Sequence, residues 1–354
     1  MYPLIDSSRL YDELAFLTEG IKWSWACRIL DKSDLKIDTS QIEKPRAGDI
    51  VLVRVEQIGH HNSIIASSNK KLRIYDGDLI MGIFGNRYAT NALEGVVEGF
   101  ESLSILTAGG MIGTVKSKHQ DFGKTTNVSF IGFLNDKSNH RVNLKKLKFH
   151  KLAPVSDTKN LIVIVGTGMN TGKTTSVRML IRGLSNKGLQ IAACKLTGSV
   201  SNRDADEMRS ASARCTIDFS DYGFPSTYLC DKVELLDLFN SMLSDVEKLN
   251  LDATVMEIAD GILQRETMML LDDPLIKKRV KGIILTAESA PSALYGVDKL
   301  KKLGYNIIGV SGAMTSSPLF VKEFKQNCEV RVASSVDSAD ELVEIVHKAI
   351  TMEN

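Results

Sequence analysis

The chain has 354 residues, 43% hydrophobic and 25% charged, an ordinary globular composition with length enough for two domains. Lys plus Arg (44) nearly cancels Asp plus Glu (43), leaving a formal charge of +1, which speaks against a nucleic-acid-binding face. Five scattered cysteines without a CxxC pair point to reduced thiols and a cytoplasmic location. The first residues lack the basic start and apolar core of a signal peptide, and no apolar run nears the ~18 residues that span a membrane. The adjacent pair His60-His61 would point to opposite faces of a strand, so no metal site is expected there.

In chain order, residues 8–18 predict a helix turning Leu10, Leu14 and Leu17 inward. Residues 49–56, 63–66, 71–75, 78–84, 102–107, 111–115 and 128–133 read as short strands between turn signals, the rhythm of a small barrel or sandwich. The glycine-rich stretches at 82–88 and 107–113 lack a strand-to-helix setting and read as tight turns. Asn86 and Arg87 are possible substrate contacts across a domain cleft. The densest basic run, Lys145-Lys146-Leu147-Lys148 with His150 and Lys151, reads as the solvated end of a domain, with an anion or RNA contact as the alternative.

Beyond a connector at 151–158 the rhythm changes. Strands are expected at 160–165, 189–195, 253–258, 282–286 and 306–310, and helices at 172–186, 233–249, 290–303 and 338–351. This alternation predicts an α/β fold with a mostly parallel sheet and helices on both faces. The expected division is a β-rich domain over 1–155 and a nucleotide-binding domain over 156–354.

The second domain opens with Leu161-Ile-Val-Ile-Val-Gly166-Thr167-Gly168-Met169-Asn170-Thr171-Gly172-Lys173-Thr174-Thr175. This is a buried strand running through a glycine-rich turn into a helix, the context a phosphate-binding loop requires. Backbone N–H groups of Gly166 through Thr175 would surround the phosphates, aided by the helix dipole. Lys173 would reach the β- and γ-phosphates and Thr174 would coordinate Mg²⁺. The usual pattern leaves four residues between its glycines; here five separate Gly166 from Gly172. Three more polar residues fall at strand ends or just after. Lys195 ends the second strand, Asp204 follows in a polar loop over 199–206, and Glu257 ends the next long strand. Asp204 and Glu257 supply the hard oxygen donors Mg²⁺ prefers; Asp206 competes with the first and Asp260 with the second. Weaker candidates are Ser226 and Thr227, in a polar loop over 218–228 suited to substrate contacts, and Arg265, which could reach an anionic group.

These motifs resemble dethiobiotin synthetase and its relatives. The wide loop from Gly166 to Thr174, the segment Lys195-Leu-Thr-Gly198, the stretch Asn202-Arg203-Asp204-Ala205 and the segment Glu257-Ile-Ala-Asp-Gly261 match that family's successive motifs. Residues 282–288 and 309–312 resemble its last two strands. The resemblance implies that Lys195 stabilises charge on a transferring phosphoryl group, and that Asp204, Glu257 and Thr174 share Mg²⁺. Leu196 stands for the family's proline, Ile258 for a glycine and Asn202-Arg203 for Asn-Ser. The likeness spans about 160–350. A second likeness is to uncharacterised bacterial proteins that join an N-terminal non-catalytic domain to such a P-loop domain, some linked to amino-acid metabolism.

The expected function is a Mg-ATP-dependent enzyme, a ligase or kinase, that activates a small carboxylate- or amine-bearing metabolite, with Lys173, Lys195 and Glu257 catalytic. It would act as a homodimer or higher oligomer, with no nucleic-acid or membrane partner. The alternative is a nucleotide-dependent switch or chaperone ATPase or GTPase working on a protein partner. Thr286-Ala-Glu-Ser289 is not the Asn-Lys-x-Asp segment of GTP-specific domains, so ATP is preferred. Gly168 stands where the dimerising switch group often has an extra lysine.

Overall fold

In a computed structural model, residues 20–32, 35–39, 43–148, 160–335 and 338–352 are described. The helix expected at 8–18, the connector at 151–158, and His150 and Lys151 lie outside them. Two compact units emerge. One holds the described residues up to Lys148 with 199–202 and 223–226; the other holds 160–198, 203–222 and 227 onward.

The first unit is β-rich. Its strands are β1 (Lys22–Trp23), β2 (Lys36–Asp38), β3 (Ile50–Gln57), β4 (Ser63–Ile65), β5 (Lys71–Arg73), β6 (Leu79–Phe84), β7 (Arg87–Tyr88), β8 (Leu93–Val96), β9 (Leu103–Ile105), β10 (Met111–Lys118) and β11 (Asn127–Asn135), followed by a short helix α1 (Leu144–Lys148). Neighbours pair in the order β1-β6-β3-β11-β9-β10-β8-β7, and a further β6–β10 pairing joins the path back on itself. Strands β3, β6, β10, β9 and β11 therefore close a small barrel, which removes their edges. Val51, Val53, Ile80, Phe84, Ile105, Ile112 and Phe133 fill its core.

The second unit alternates strands and helices: β12 (Leu161–Gly166), α2 (Lys173–Asn186), β13 (Ile191–Lys195), α3 (Arg203–Ser210), β14 (Cys215–Asp218), α4 (Lys232–Glu247), β15 (Ala253–Glu257), α5 (Arg265–Leu271), α6 (Pro274–Arg279), β16 (Val280–Thr286), α7 (Ala290–Lys302), β17 (Ile307–Ser311), α8 (Pro318–Asn327) and α9 (Asp340–Thr351). The six strands are ordered β14-β13-β15-β12-β16-β17, and every pairing is parallel. Every residue of β12, β13 and β15 is buried, as in a sheet covered on both faces by helices. On one face Leu180 and Leu184 of α2, Met208 of α3 and Leu342 and Val346 of α9 share a core with Ile162, Ile164 and Val255.

The helix ends follow local chemistry. Asp231 and Glu234 form a reciprocal capping box at the start of α4. Asp273 caps α6, where Pro274 takes the first helical position. Helix α2 has Gly172 as its N-cap and no side-chain cap hydrogen bond, which leaves its first N–H groups facing the preceding loop.

Two expectations change. Asp204 is not in a polar loop over 199–206, because helix α3 begins at Arg203. Low apolar content hid this helix, but Asp204 and Asp206 in its first turn suit the positive end of the helix dipole. Strand β14 ends at Asp218, where the polar loop over 218–228 was expected to begin, and Cys215-Thr-Ile-Asp218 is too short to show periodicity.

Candidate functional site

Parallel strands bring their carboxyl ends to one edge of the sheet, and register decides which side chains meet there. Glu257 is opposite Ile164 of β12 on one side and Lys195 of β13 on the other. Lys195 in turn pairs with Asp218 of β14. On the other side of β12, Gly166 is opposite Thr286. The polar row Asp218-Lys195-Glu257 thus borders the turn that leaves β12.

That turn is pinned from several directions. The Thr171 hydroxyl lies 2.8 Å from that of Thr286 and 3.2 Å from the Gly168 carbonyl, to which it donates. The Ala313 N–H donates to the Thr171 carbonyl at 2.9 Å, and the Thr167 hydroxyl donates to Glu288 at 2.7 Å. Gly172 has φ 97°, a left-handed value at which a side chain would be strained. Gly261 approaches the turn so closely that an added Cβ would lie 2.8 Å from Cα of Gly168. The Ile262 N–H, next in the chain, donates to the Gly166 carbonyl at 2.8 Å.

Met169, Asn170, Gly172, Lys173, Thr174 and Thr175 line one wall of a cavity of about 390 Å³, and Lys195, Arg203, Asp204, Glu257, Ala259 and Asp260 line the rest. Lys173 is only 7% exposed and its ammonium donates to the Gly168 carbonyl at 2.7 Å. Burial pushes its pKa down, opposed by the negative charges of Glu257 and Asp260. Lys195 forms an ion pair with Asp204 and lies 3.9 Å from Glu257. The Thr174 hydroxyl donates to Oε1 of Glu257 at 3.4 Å.

Glu257 is 2% exposed, and its Oε2 has no hydrogen-bond partner among the described residues. A buried carboxylate oxygen without a partner costs free energy unless a ligand meets it. With Thr174 beside it, this donor set fits Mg²⁺, which takes hard oxygens from one or two protein groups and completes its shell with phosphates and water. Among the described residues no three His, Cys, Asp or Glu side chains form a metal cage of their own. Thr174 and Glu257 would hold the ion, with Asp204 available once it leaves Lys195. Bound there, Mg²⁺ supplies charge neutralisation at the phosphates.

The structure brings together Lys173, Thr174, Lys195, Asp204 and Glu257. Asp204 rather than Asp206 lines the cavity; Asp206 is paired with Arg209. Asp260 lines it as well, three residues after Glu257 in the sequence. The weaker candidates are elsewhere. The buried Thr227 accepts the Gly198 N–H at 3.0 Å, Ser226 is buried and bridged to Ser199, and Arg265 contacts Glu266 and the Cys230 carbonyl. None of the three lines the cavity. In the first unit, Asn86 accepts the Val97 N–H at 2.8 Å and Arg87 donates to the Leu106 carbonyl. Sequence reasoning missed Arg203 as a wall of the cavity and Thr286 as a support of the loop. Position within α3 would have raised the first; the second needs strand order.

A glycine-rich turn between a parallel strand and a helix, with a buried lysine, a hydroxyl and a strand-end carboxylate around one cavity, defines a P-loop nucleotide-binding domain. No protein-family model and no curated protein matches the chain, so the likeness to dethiobiotin synthetase rests on the motif residues alone. Among solved structures the chain is similar to the signal recognition particle receptor FtsY of Elizabethkingia anophelis, with 13% identity, TM-score 0.31 and coverage of 59% of this chain and 61% of that one. It is also similar to chloroplast FtsY of Physcomitrella patens, with 9% identity, TM-score 0.37 and coverage of 59% and 71%. A third likeness is to the kinase domain of the Escherichia coli tyrosine kinase ETK, with 13% identity, TM-score 0.32 and coverage of 43% and 66%. The match takes in about three fifths of the first of these chains. Identities and scores this low assign no substrate and no partner.

Proposed function

We propose that the chain is a Mg²⁺-dependent nucleoside triphosphatase, with ATP as its nucleotide, that works as a nucleotide-dependent switch. One observation carries this reading. Lys195 and Asp204, which in this reading meet the γ-phosphate and the metal, are paired with each other. A triphosphate competes for Lys195 and its cation competes for Asp204, so binding and pairing exclude one another. The chain between them passes through residues 199–202, which cluster with the first unit. In the reaction a water oxygen attacks the γ-phosphorus and the bond to the β–γ bridging oxygen breaks. The water proton leaves to phosphate or solvent, giving the diphosphate and inorganic phosphate. Lys173 and Lys195 neutralise charge on the moving group, and burial of the site strengthens both effects.

A second reading, activation of a small metabolite, is supported by the motif likeness and by the three cations Lys173, Lys195 and Arg203 in one cavity. There a carboxylate or amine of the acceptor attacks in place of water. Hydrolysis assays with ATP and GTP, alone and with a panel of amino and dicarboxylic acids, separate the readings. The switch reading expects a basal rate insensitive to the panel, and nucleotide-dependent protection of residues 196–203 from proteolysis. Strong stimulation by one acid with an unchanged protease pattern contradicts it and supports metabolite activation.

A further inference from the structure

We propose that Arg203 is a catalytic residue that contacts the γ-phosphoryl group as it transfers; this rests on the nucleotide reading above. Arg203 begins α3 and lines the same cavity as Lys173 and Thr174. Its side chain is 80% exposed, and its Nε lies 3.1 Å from Oε1 of Glu207, one helical turn on. Glu207 also meets Arg178 of α2 at 3.7 Å through its other oxygen, so the carboxylate is shared between two guanidiniums. An exposed i,i+4 pair of this kind contributes little and opens readily.

The cavity lining is formally balanced, with Lys173, Lys195 and Arg203 against Asp204, Glu257 and Asp260. A Mg-bound triphosphate adds net negative charge, and that charge spreads over the equatorial oxygens as the phosphoryl group moves. Lys173 is buried under the loop, and Lys195 already faces both Asp204 and Glu257. Arg203 is the lining cation on the solvent side. Its planar fork matches two phosphate oxygens at once, which an ammonium cannot do. Its neighbour in the chain, Asp204, is paired with Lys195 and lines the same cavity.

The test measures Mg-ATP affinity by calorimetry and single-turnover hydrolysis for the wild type, Arg203→Ala, Arg203→Lys and Glu207→Gln. Arg203→Ala is expected to bind nucleotide within about threefold of the wild type while its turnover falls about 1,000-fold or more, the low end for catalytic arginines. Arg203→Lys should recover only part of that rate. Glu207→Gln breaks the same surface pair but keeps the cation, and should hydrolyse within about twofold of the wild type. Wild-type turnover in Arg203→Ala overturns the proposal. So does an equal loss in Glu207→Gln, which would make the effect structural. A wild type that binds no Mg-nucleotide overturns the nucleotide reading and this proposal with it, a result distinct from either.

Discussion

Glu257 holds one oxygen toward the Thr174 hydroxyl and keeps the other buried with no hydrogen-bond partner among the described residues. Such a group is poised for a ligand rather than for stability. Glu257→Gln keeps the shape and removes the charge, so nucleotide affinity should stay within about fivefold while turnover falls about 100-fold or more. Equal losses in both would place Glu257 in binding alone. Lys173 gives a pH signature as well. Only the ammonium form attracts phosphate, and burial lowers its pKa. As pH rises, charge is lost below the pH at which an ordinary lysine titrates, so Mg-nucleotide affinity should weaken there. Calorimetry across the alkaline range checks this, and a flat profile up to the ordinary lysine pKa counts against it.

At the scale of elements, the loop is shaped by what touches it from behind. Gly261 brings the segment after β15 against Gly168 and Thr167, where an added Cβ would lie 2.8 Å from one Cα and 2.9 Å from a carbonyl oxygen. Gly261→Ala should cost about 1–3 kcal/mol by overpacking and weaken nucleotide affinity along with the thermal midpoint. A normal midpoint with normal affinity contradicts the idea that this contact shapes the loop. Much at this scale was legible in the sequence. The unbroken apolar run of β12, the strand-to-helix glycine turn and the long helices α2, α4, α7 and α9 follow from periodicity and composition. Helix α3, with its charge-rich Arg-Asp-Ala-Asp-Glu sequence, and strand β14 were not. Their identity comes from packing, through Met208 in the sheet core and the pairing of Cys215 with Ala192. The pairing of Lys195 with Asp204 could not be read either, since it depends on where α3 begins.

At the scale of the whole molecule, the barrel of the first unit carries its own pH dependence. His61 is pushed down to about 4 by burial, with Arg87 and His60 adding to the effect. In the unfolded chain it titrates near 6.5, so stability is full above that pH and is lost as pH falls from 6.5 toward 4. The loss reaches about 3 kcal/mol. Trp23 and Trp25 both belong to this unit, so tryptophan fluorescence under denaturant reports its unfolding alone. His61→Gln should flatten the slope between these pH values, and an unchanged slope would assign it to other groups. That many short strands make a small barrel or sandwich was readable in the sequence; the β6–β10 pairing that decides for the barrel was not, because parallel partners far apart in sequence leave no local pattern. Nor could the sequence show that residues 199–202 and 223–226 cluster with the barrel.

If the turn between Gly166 and Thr175 is a working nucleotide site, Mg-nucleotide binding depends on Lys173. Isothermal calorimetry of the wild-type chain and Lys173→Ala with Mg-ATP and Mg-GTP tests it most directly. Charge-assisted hydrogen bonds contribute about 1.5–3 kcal/mol each, and Lys173 is placed to make more than one. Saturable one-site binding by the wild type, lost in Lys173→Ala, is the predicted result. A wild type that binds neither nucleotide, or a variant that binds as tightly, would contradict it.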